Sequence, residues 1–365
     1  MKRRRFVTQA TAGVVTGATV SACAQSANQR PAGGALPTVR WRMATSWPPS
    51  LDILFGGTRT LAEAVKTMTG GRFLITPYAA GELVPGLQVL DAVQAGTIEC
   101  GHTAAYYYIG KNPALAFATT IPFGLTAPQQ NAWLYNGGGI DLIRKVYADF
   151  GVTYFPAGNT GAQMGGWFKR EVRSLQDLAG LKMRIPGLGG QVMAKLGVNV
   201  QVLPGSELFL ALDRGAVDAA EWVGPHDDET LGLNRAAKFY YYPGWWEPGP
   251  TLDLLINQKA WETLPAEYQT ALEVAATALN LRIGARYNAQ DQAALARLTK
   301  GGTRLIAYSP DILKAAERIT QELLAESSAQ DSTFRQIYDT WGTFRRQVYA
   351  WNRVNEFSLM SFLYR

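Results

Sequence analysis

From Val39 onward, short apolar stretches alternate with helical runs that stop at glycine, and this rhythm limits the fold more than any other feature. Val39, Trp41 and Met43 alternate with Arg40 and Arg42, which predicts a strand. Trp47-Pro48-Pro49 breaks it. Leu61, Val65 and Met68 then mark one stripe of a helix over 55–69, stopped by Gly70-Gly71. R-F-L-I-T-P-Y predicts a second strand, 87–95 a short helix ending at Gly96, and T-I-E-C-G-H-T a third strand. Strand–helix units with short glycine turns build a parallel sheet covered by helices.

Residues 128–150 read as helical, interrupted by Gly137-Gly138-Gly139, and then the rhythm restarts. A strand over 152–156 feeds a loop with Gly158, Asn159, Gly161 and Gln163, and a strand over 164–168 follows. In G-L-K-M-R-I-P-G, Leu181, Met183 and Ile185 point one way and Lys182 and Arg184 the other. Pro186-Gly187 ends that strand just beyond Arg184. A helix over 189–196, a strand over 198–202, a helix over 206–214 capped by Ser206 and a strand over 217–222 complete a second α/β block. Residues 251–257 return as a strand, Pro265 opens a long helix, T-R-L-I-A-Y is a last strand, and Ser309-Pro310 starts another helix. From Asp331 the apolar positions Phe334, Ile337, Trp341, Phe344, Val348, Trp351 and Val354 form the stripe of one long amphipathic helix. A chain of 365 residues has room for two such domains, each with its own core.

Net charge is a poor guide to partners here. Lys2, Arg3, Arg4 and Arg5 stand in a leader of 24 residues without an acid, which leaves 31 basic against 29 acidic side chains. No basic run remains to serve as a nucleic-acid footprint, so no nucleic acid is expected as a partner. The leader itself, basic and then mildly apolar, reads as an export signal over 1–24. Arg3-Arg4 with Arg5-Phe6-Val7 resembles a twin-arginine signal. Ala22-Cys23-Ala24 fits a cleavage site, giving a soluble periplasmic protein; Val20-Ser21-Ala22-Cys23 resembles a lipobox, the alternative with Cys23 anchored. No later stretch approaches the ~20 apolar residues of a membrane span. Cleavage would leave Cys100 alone, so no internal disulfide is expected, and two distant histidines with one cysteine do not make the usual zinc sets.

The chemistry concentrates in residues 218–250. This stretch holds two acid–aromatic pairs, Glu221-Trp222 and Trp246-Glu247, bracketed by prolines and glycines. A carboxylate in so apolar a run needs a cation, an arginine or a ligand, because an unpaired buried charge is too costly. Arg184, at a strand tip, offers a planar fork that matches a carboxylate, although an arginine there is more often simply solvated. Tyr106, Tyr107 and Tyr108 end the third strand, where ligands of open α/β sheets lie, and packing explains them equally well. Asn159 and Gln163 add amide donors and acceptors on a glycine-rich loop that a plain turn also explains. No G-x-S-x-G, P-loop or H-E-x-x-H is present, which counts against an exported enzyme.

The strings G-E-L-V-P-G-L-Q, Y-Y-Y, N-T-G-A-Q-M-G-G-W-F, G-L-K-M-R-I-P-G, E-W-V-G-P-H-D-D and Y-Y-Y-P-G-W-W-E resemble the solute-binding subunit of tripartite ATP-independent periplasmic (TRAP) transporters. Within that family they are similar to the branch that binds 2-oxo acids such as pyruvate, or lactate, with a metal cation. The resemblance runs from about residue 38 to the end. It implies a periplasmic-binding-protein-like fold of two α/β domains with a hinge and an interdomain cleft: 38–157 with 250–290, and 158–249 with 291–330. A long helix over 331–365 would pack across the domains. It implies a receptor rather than an enzyme, with membrane permease subunits as partners. It implies that Arg184 holds the substrate carboxylate, that Gln163 and Glu221 ligate the cation through side chains and Trp222 through its carbonyl, and that Asn159, Tyr107 and Glu247 complete the shell. Glu221 and Glu247 thus touch both cation and substrate. Sodium ranks ahead of calcium, and the last helix leaves both a monomer and a homodimer through it open. His226 stands where the branch has tyrosine. A 2-hydroxy acid receptor, an exported cofactor-bearing enzyme and a tethered scaffold remain the alternatives.

Overall fold

The alternation at Val39 folds as a strand, β1 (Val39–Thr45), with Trp41 and Met43 buried. The protein is described from a computed structural model, and the structure describes residues 36–365. The leader read over 1–24, with its arginines and Cys23, lies outside the described residues. The other strands are β2 (Phe73–Tyr78), β3 (Cys100–Thr103), β4 (Val152–Asn159), β5 (Trp167–Phe168), β6 (Lys182–Arg184), β7 (Asn199–Gln201), β8 (Ala219–Ala220), β9 (Phe239–Tyr242), β10 (Thr251–Asn257) and β11 (Arg304–Ala307).

They form two sheets. The first has the order β2-β1-β3-β10-β4 and the second β11-β9-β5-β8-β6-β7. Neither is wholly parallel. β10 runs antiparallel to both its neighbours, β3 and β4, and β5 runs antiparallel to β8 and β9. The reason lies in the connectivity. The chain leaves the first sheet at β4, enters the second at β5, and returns only at β10, so these strands enter from the opposite end.

Each sheet has its own apolar cluster. Phe117, Trp133, Tyr147 and Tyr154 anchor the first, joined by Phe334, Ile337 and Trp341. Phe168, Met183, Ile185, Tyr241 and Trp246 anchor the second. The helix Ala266–Lys300 begins after Pro265 and buries Leu272, Leu279, Ile283 and Tyr287. Ser309 caps Pro310–Gln330, its hydroxyl accepting from the Ile312 amide at 3.4 Å. Ser206 does not cap its helix: a 3-10 turn, Gly205–Glu207, precedes Leu208–Asp213, and Glu207 takes the cap position. The last helix is not continuous. Ser332–Val354 breaks at Asn355, and Glu356–Leu363 follows. Its stripe is buried at Phe334, Ile337 and Trp341 but runs out into solvent at Trp351 and Val354.

Candidate ligand and metal site

Arg184 ends β6, and β8 pairs parallel to it with Ala220 opposite Arg184. The next residue, Glu221, is thereby delivered beside the guanidinium. Arg184 Nη1 donates to the Glu221 carbonyl at 2.8 Å and pairs with Glu221 Oε1. Nε donates to the Leu203 carbonyl at 3.0 Å. The guanidinium carbon lies 5.1 Å from the centre of the Trp222 ring. Both ion-pair side chains are 1% exposed, so a strand-tip arginine that is ordinarily solvated is here fully enclosed.

Two further residues arrive on the segments that connect the sheets. The Gln163 amide donates to the Glu247 carbonyl (3.1 Å), Gly244 N to the Gln163 carbonyl (3.0 Å), and Thr160 N to the Pro250 carbonyl (3.1 Å). The outgoing and returning segments are thus stitched together, with Gln163 on one and Glu247 on the other. Gln163 Nε2 donates to Thr160 Oγ1 at 3.0 Å, which turns its oxygen away from that bond. Two glycines permit the close approach. Gly166 has φ +85°, and a Cβ there would lie 3.2 Å from Glu221 Cβ; a Cβ on Gly205 would stand 2.6 Å from the Trp222 ring.

Among the side chains predicted to hold the ligand, four buried polar atoms have no hydrogen-bond partner in the chain: Arg184 Nη2, Glu221 Oε2, Gln163 Oε1 and Glu247 Oε2. Such atoms are few in folded proteins, and each is costly. Three are oxygens and one is half of an arginine fork. An amide oxygen and carboxylate oxygens are the ligands a hard cation takes, and the free fork nitrogen suits a carboxylate. The unpartnered atoms of Glu221, Gln163 and Glu247 are all oxygens, and among the described residues no group of three or more His, Cys, Asp or Glu is placed to hold a metal. The residues therefore fit a hard cation with an anionic ligand.

Charge follows burial. Burial pushes the Glu221 carboxyl up, against the pull of Arg184. Burial pushes Glu247 well up, and the charge of Glu221 adds to it. Tyr106 and Tyr107 lie within the field of the same groups, on the 3-10 turn Ala105–Tyr108 that follows β3. Burial raises both phenols; Arg184 opposes it at Tyr107. Tyr108 is elsewhere, bonded to Thr103 Oγ1 (2.9 Å) and to the Leu90 amide (3.2 Å). Asn159 is already engaged: Nδ2 donates to Gly249 O (3.0 Å) and Thr251 Oγ1 (3.4 Å), and Oδ1 accepts from Gly161 N (2.9 Å). His226 pairs with Asp52 at 2.8 Å, and Arg286 reaches the other Asp52 oxygen at 2.5 Å. That triad stands apart from the four unpartnered atoms.

Sequence reasoning named Tyr106 among three tyrosines that could face a ligand, but did not find Thr160. Thr160 orients Gln163, and a hydroxyl three residues before an amide is a usable signal. Asp227 and Asp228 were also missed as supports. Asp227 accepts from Trp222 Nε1 (3.3 Å) and Tyr287 OH (2.8 Å), and Asp228 from Trp167 Nε1 (2.9 Å), Tyr240 OH (2.7 Å) and Val223 N (3.3 Å). They brace the Glu221-Trp222-Val223 segment from behind.

A two-sheet α/β chain whose crossing segments enclose a partly unsatisfied polar cluster belongs to the class of solute-binding proteins. Residues 43–331 match the family described as DctP, bacterial extracellular solute-binding protein, family 7. A monocarboxylate 2-oxoacid-binding periplasmic protein of Nostoc is 62% identical over 99% of each chain. A TRAP transporter solute-binding protein from Bordetella bronchiseptica is 44% identical with a TM-score of 0.89, covering 90% of this chain and 98% of its own. Its structure is described as a mixed-occupancy dimer with copurified calcium and picolinate. One from Pseudoalteromonas atlantica, with bound sodium and pyruvate, is 38% identical with a TM-score of 0.86, covering 89% and 99%. The chain belongs to the DctP family of bacterial extracellular solute-binding proteins.

Proposed function

We propose that this protein is the extracytoplasmic receptor of a TRAP transporter, and that it captures a small 2-oxo monocarboxylate of the pyruvate type together with a metal cation and delivers it to the membrane permease. The four unpartnered buried atoms carry this reading. Arg184 Nη2 is assigned to the carboxylate. Gln163, Glu221 and Glu247 side-chain oxygens and the Trp222 carbonyl are assigned to the cation, with Glu221 and Glu247 also against the acid and Tyr107 closing the shell. Asn159 is assigned to complete the shell, from a loop that its Nδ2 bond to Gly249 O and the Gly161 N bond to its Oδ1 brace. When bound, the cation supplies a positive centre for the oxo and carboxylate oxygens.

Sodium is placed ahead of calcium on charge. One arginine and one glutamate nearly balance a monovalent cation and a monocarboxylate. The relatives support a cation of either kind. The lobes 38–157 with 250–290 and 158–249 with 291–330 close on the ligand at a hinge in the crossing segments. Export by the twin-arginine route, release as a periplasmic protein and a homodimer through the last helices complete the reading. The test is calorimetry with pyruvate on the wild type and on Arg184→Ala. Binding should disappear in the variant, a loss of at least about 100-fold for a buried charge-assisted pair. Unchanged affinity would remove the carboxylate assignment.

A further inference from the structure

Two segments, one leaving each sheet, meet along a seam that runs from the protein interior to its surface. The first is 47–52, between β1 and the helix Leu54–Met68; the second is 222–226, which follows β8 and opens the helix Pro225–Leu231. At the inner end Trp47 meets Trp222 edge-on, 6.3 Å between centroids, and both rings are buried. At the outer end His226 Nε2 donates to Asp52 Oδ1 at 2.8 Å. Arg286, on the helix Ala266–Lys300, donates from Nη2 to Asp52 Oδ2 at 2.5 Å and from Nη1 to the Asp52 carbonyl at 2.9 Å. We propose that Asp52, Arg286 and His226 form a clasp that holds this seam shut over the bound acid and slows its release. The inference rests on the receptor reading above and adds the contact that sets how long the closed complex lasts.

Each half of the clasp is anchored on its own side. Asp52 stands between Leu51 and Ile53, both fully buried, so its backbone is fixed while its side chain is 53% exposed. Arg286 grips the backbone and one carboxylate oxygen of Asp52, which leaves the other oxygen to His226. Burial works against the ionised carboxyl, but His226 and Arg286 hold it below the usual carboxylate range, so Asp52 is charged. On the other side the His226 amide donates to Asp291 Oδ1 at 2.9 Å. Its helix is pinned to the second sheet through Asp228, which accepts from Trp167 Nε1 of β5 and Tyr240 OH of β9. The imidazole is 17% exposed, and its Nε2–H donates to a carboxylate whether the ring is neutral or protonated. Parting the seam breaks the His226–Asp52 bond. A pair this exposed contributes modestly, so its effect falls on the lifetime of the complex rather than on whether the acid binds.

The experiment is stopped-flow tryptophan fluorescence of pyruvate association and release, in sodium and in calcium buffers. It compares the wild type with Asp52→Ala, His226→Leu, the double variant, and His226→Gln, whose amide keeps a neutral donor. Asp52→Ala and His226→Leu should each release pyruvate roughly 5-fold faster, with association within about 2-fold of the wild type. The double variant should release no faster than the quicker single variant, because both substitutions remove the same interaction. His226→Gln should recover most of the wild-type lifetime. Thermal melts show that each variant folds; should Asp52→Ala not fold, the contrast between His226→Leu and His226→Gln alone decides. Release at the wild-type rate from both single variants, effects that multiply in the double variant, or His226→Gln as fast as His226→Leu overturns the clasp and leaves the receptor reading intact. A wild type that binds no pyruvate with either cation overturns the receptor reading, and this inference with it.

Discussion

Arg184 and Glu221 illustrate how little stability explains at the scale of the residue. Enclosing two charges costs several kcal/mol each, and their attraction returns that only when every remaining donor and acceptor is matched. Here Arg184 Nη2 and Glu221 Oε2 are not matched within the chain. Asp253 is another buried acid, with Oδ1 likewise unpartnered. Tyr147 OH donates to Oδ2 at 2.8 Å, and burial pushes the carboxyl up to about 8. The unfolded chain titrates it near ~4, so the folded state holds the proton more tightly. Its contribution is full below that pH and is lost as pH rises through the folded value. His102, pushed down to about 4, works in the opposite sense but only below its unfolded value of ~6.5. Urea unfolding between pH 6.5 and 8 should therefore show the wild type losing on the order of 1–2 kcal/mol through Asp253, a loss that Asp253→Asn removes. An equal decline in both proteins would contradict the assignment. Of the site, the sequence made two things legible: an acid beside tryptophan needs a partner, and an arginine at a strand tip has a free fork. Their meeting was legible only by family resemblance, because the parallel pairing of β6 and β8 that joins them spans 37 positions. The Trp47–His102 bond spans 55 and leaves no local pattern at all.

Elements with a regular period were readable. The helices Leu54–Met68 and Ala266–Lys300 and the strands β1, β2 and β10 lie within a few residues of where alternation or the helical stripe puts them. Strand direction was not readable, since β10 shows the same alternation in either sense and only the long excursion through the second sheet reverses it. β9 and the helix Pro225–Leu231 escaped because aromatic and acidic strings, Y-Y-Y and H-D-D-E, carry no clear period. The last helices show what periodicity alone misses. The stripe packs through Trp341, whose ring lies 5.7 Å from Phe117, and Phe344 and Val348 still lie against the same core before it runs out into solvent. Trp351, Val354, Phe357 and Phe362 are 60%, 68%, 66% and 56% exposed. Exposed apolar surface of this extent marks an interaction site, and the proposed occupant is a second copy. Sedimentation velocity should show a dimer for the wild type and a monomer for Trp351→Glu/Phe357→Glu, with unfolding unchanged because neither side chain is buried. A wild type that sediments as a monomer would contradict the dimer.

For the molecule as a whole, the site is a consequence of topology. The chain crosses between the sheets three times, and the first two crossings bond to each other at Gln163, Glu247, Thr160 and Pro250. The first sheet contributes the Tyr106–Tyr107 turn after β3; the second contributes Arg184 and Glu221; the crossings contribute Gln163 and Glu247. On the proposed reading, a ligand that satisfies all of them would bind both sheets and their connection at once, making capture and closure one event. The cation is central to that arrangement, because three of the four unpartnered atoms are oxygens that need a positive centre. The most direct measurement is calorimetric titration of pyruvate into protein stripped of cations by chelator and dialysis into a sodium-free buffer, then again after sodium or calcium is restored, for the wild type and Glu221→Gln. The account predicts that wild-type binding falls at least about 10-fold without cations and returns with them, while Glu221→Gln binds weakly whether cations are present or not. Pyruvate affinity that is the same in every cation condition, and the same in both proteins, would contradict it.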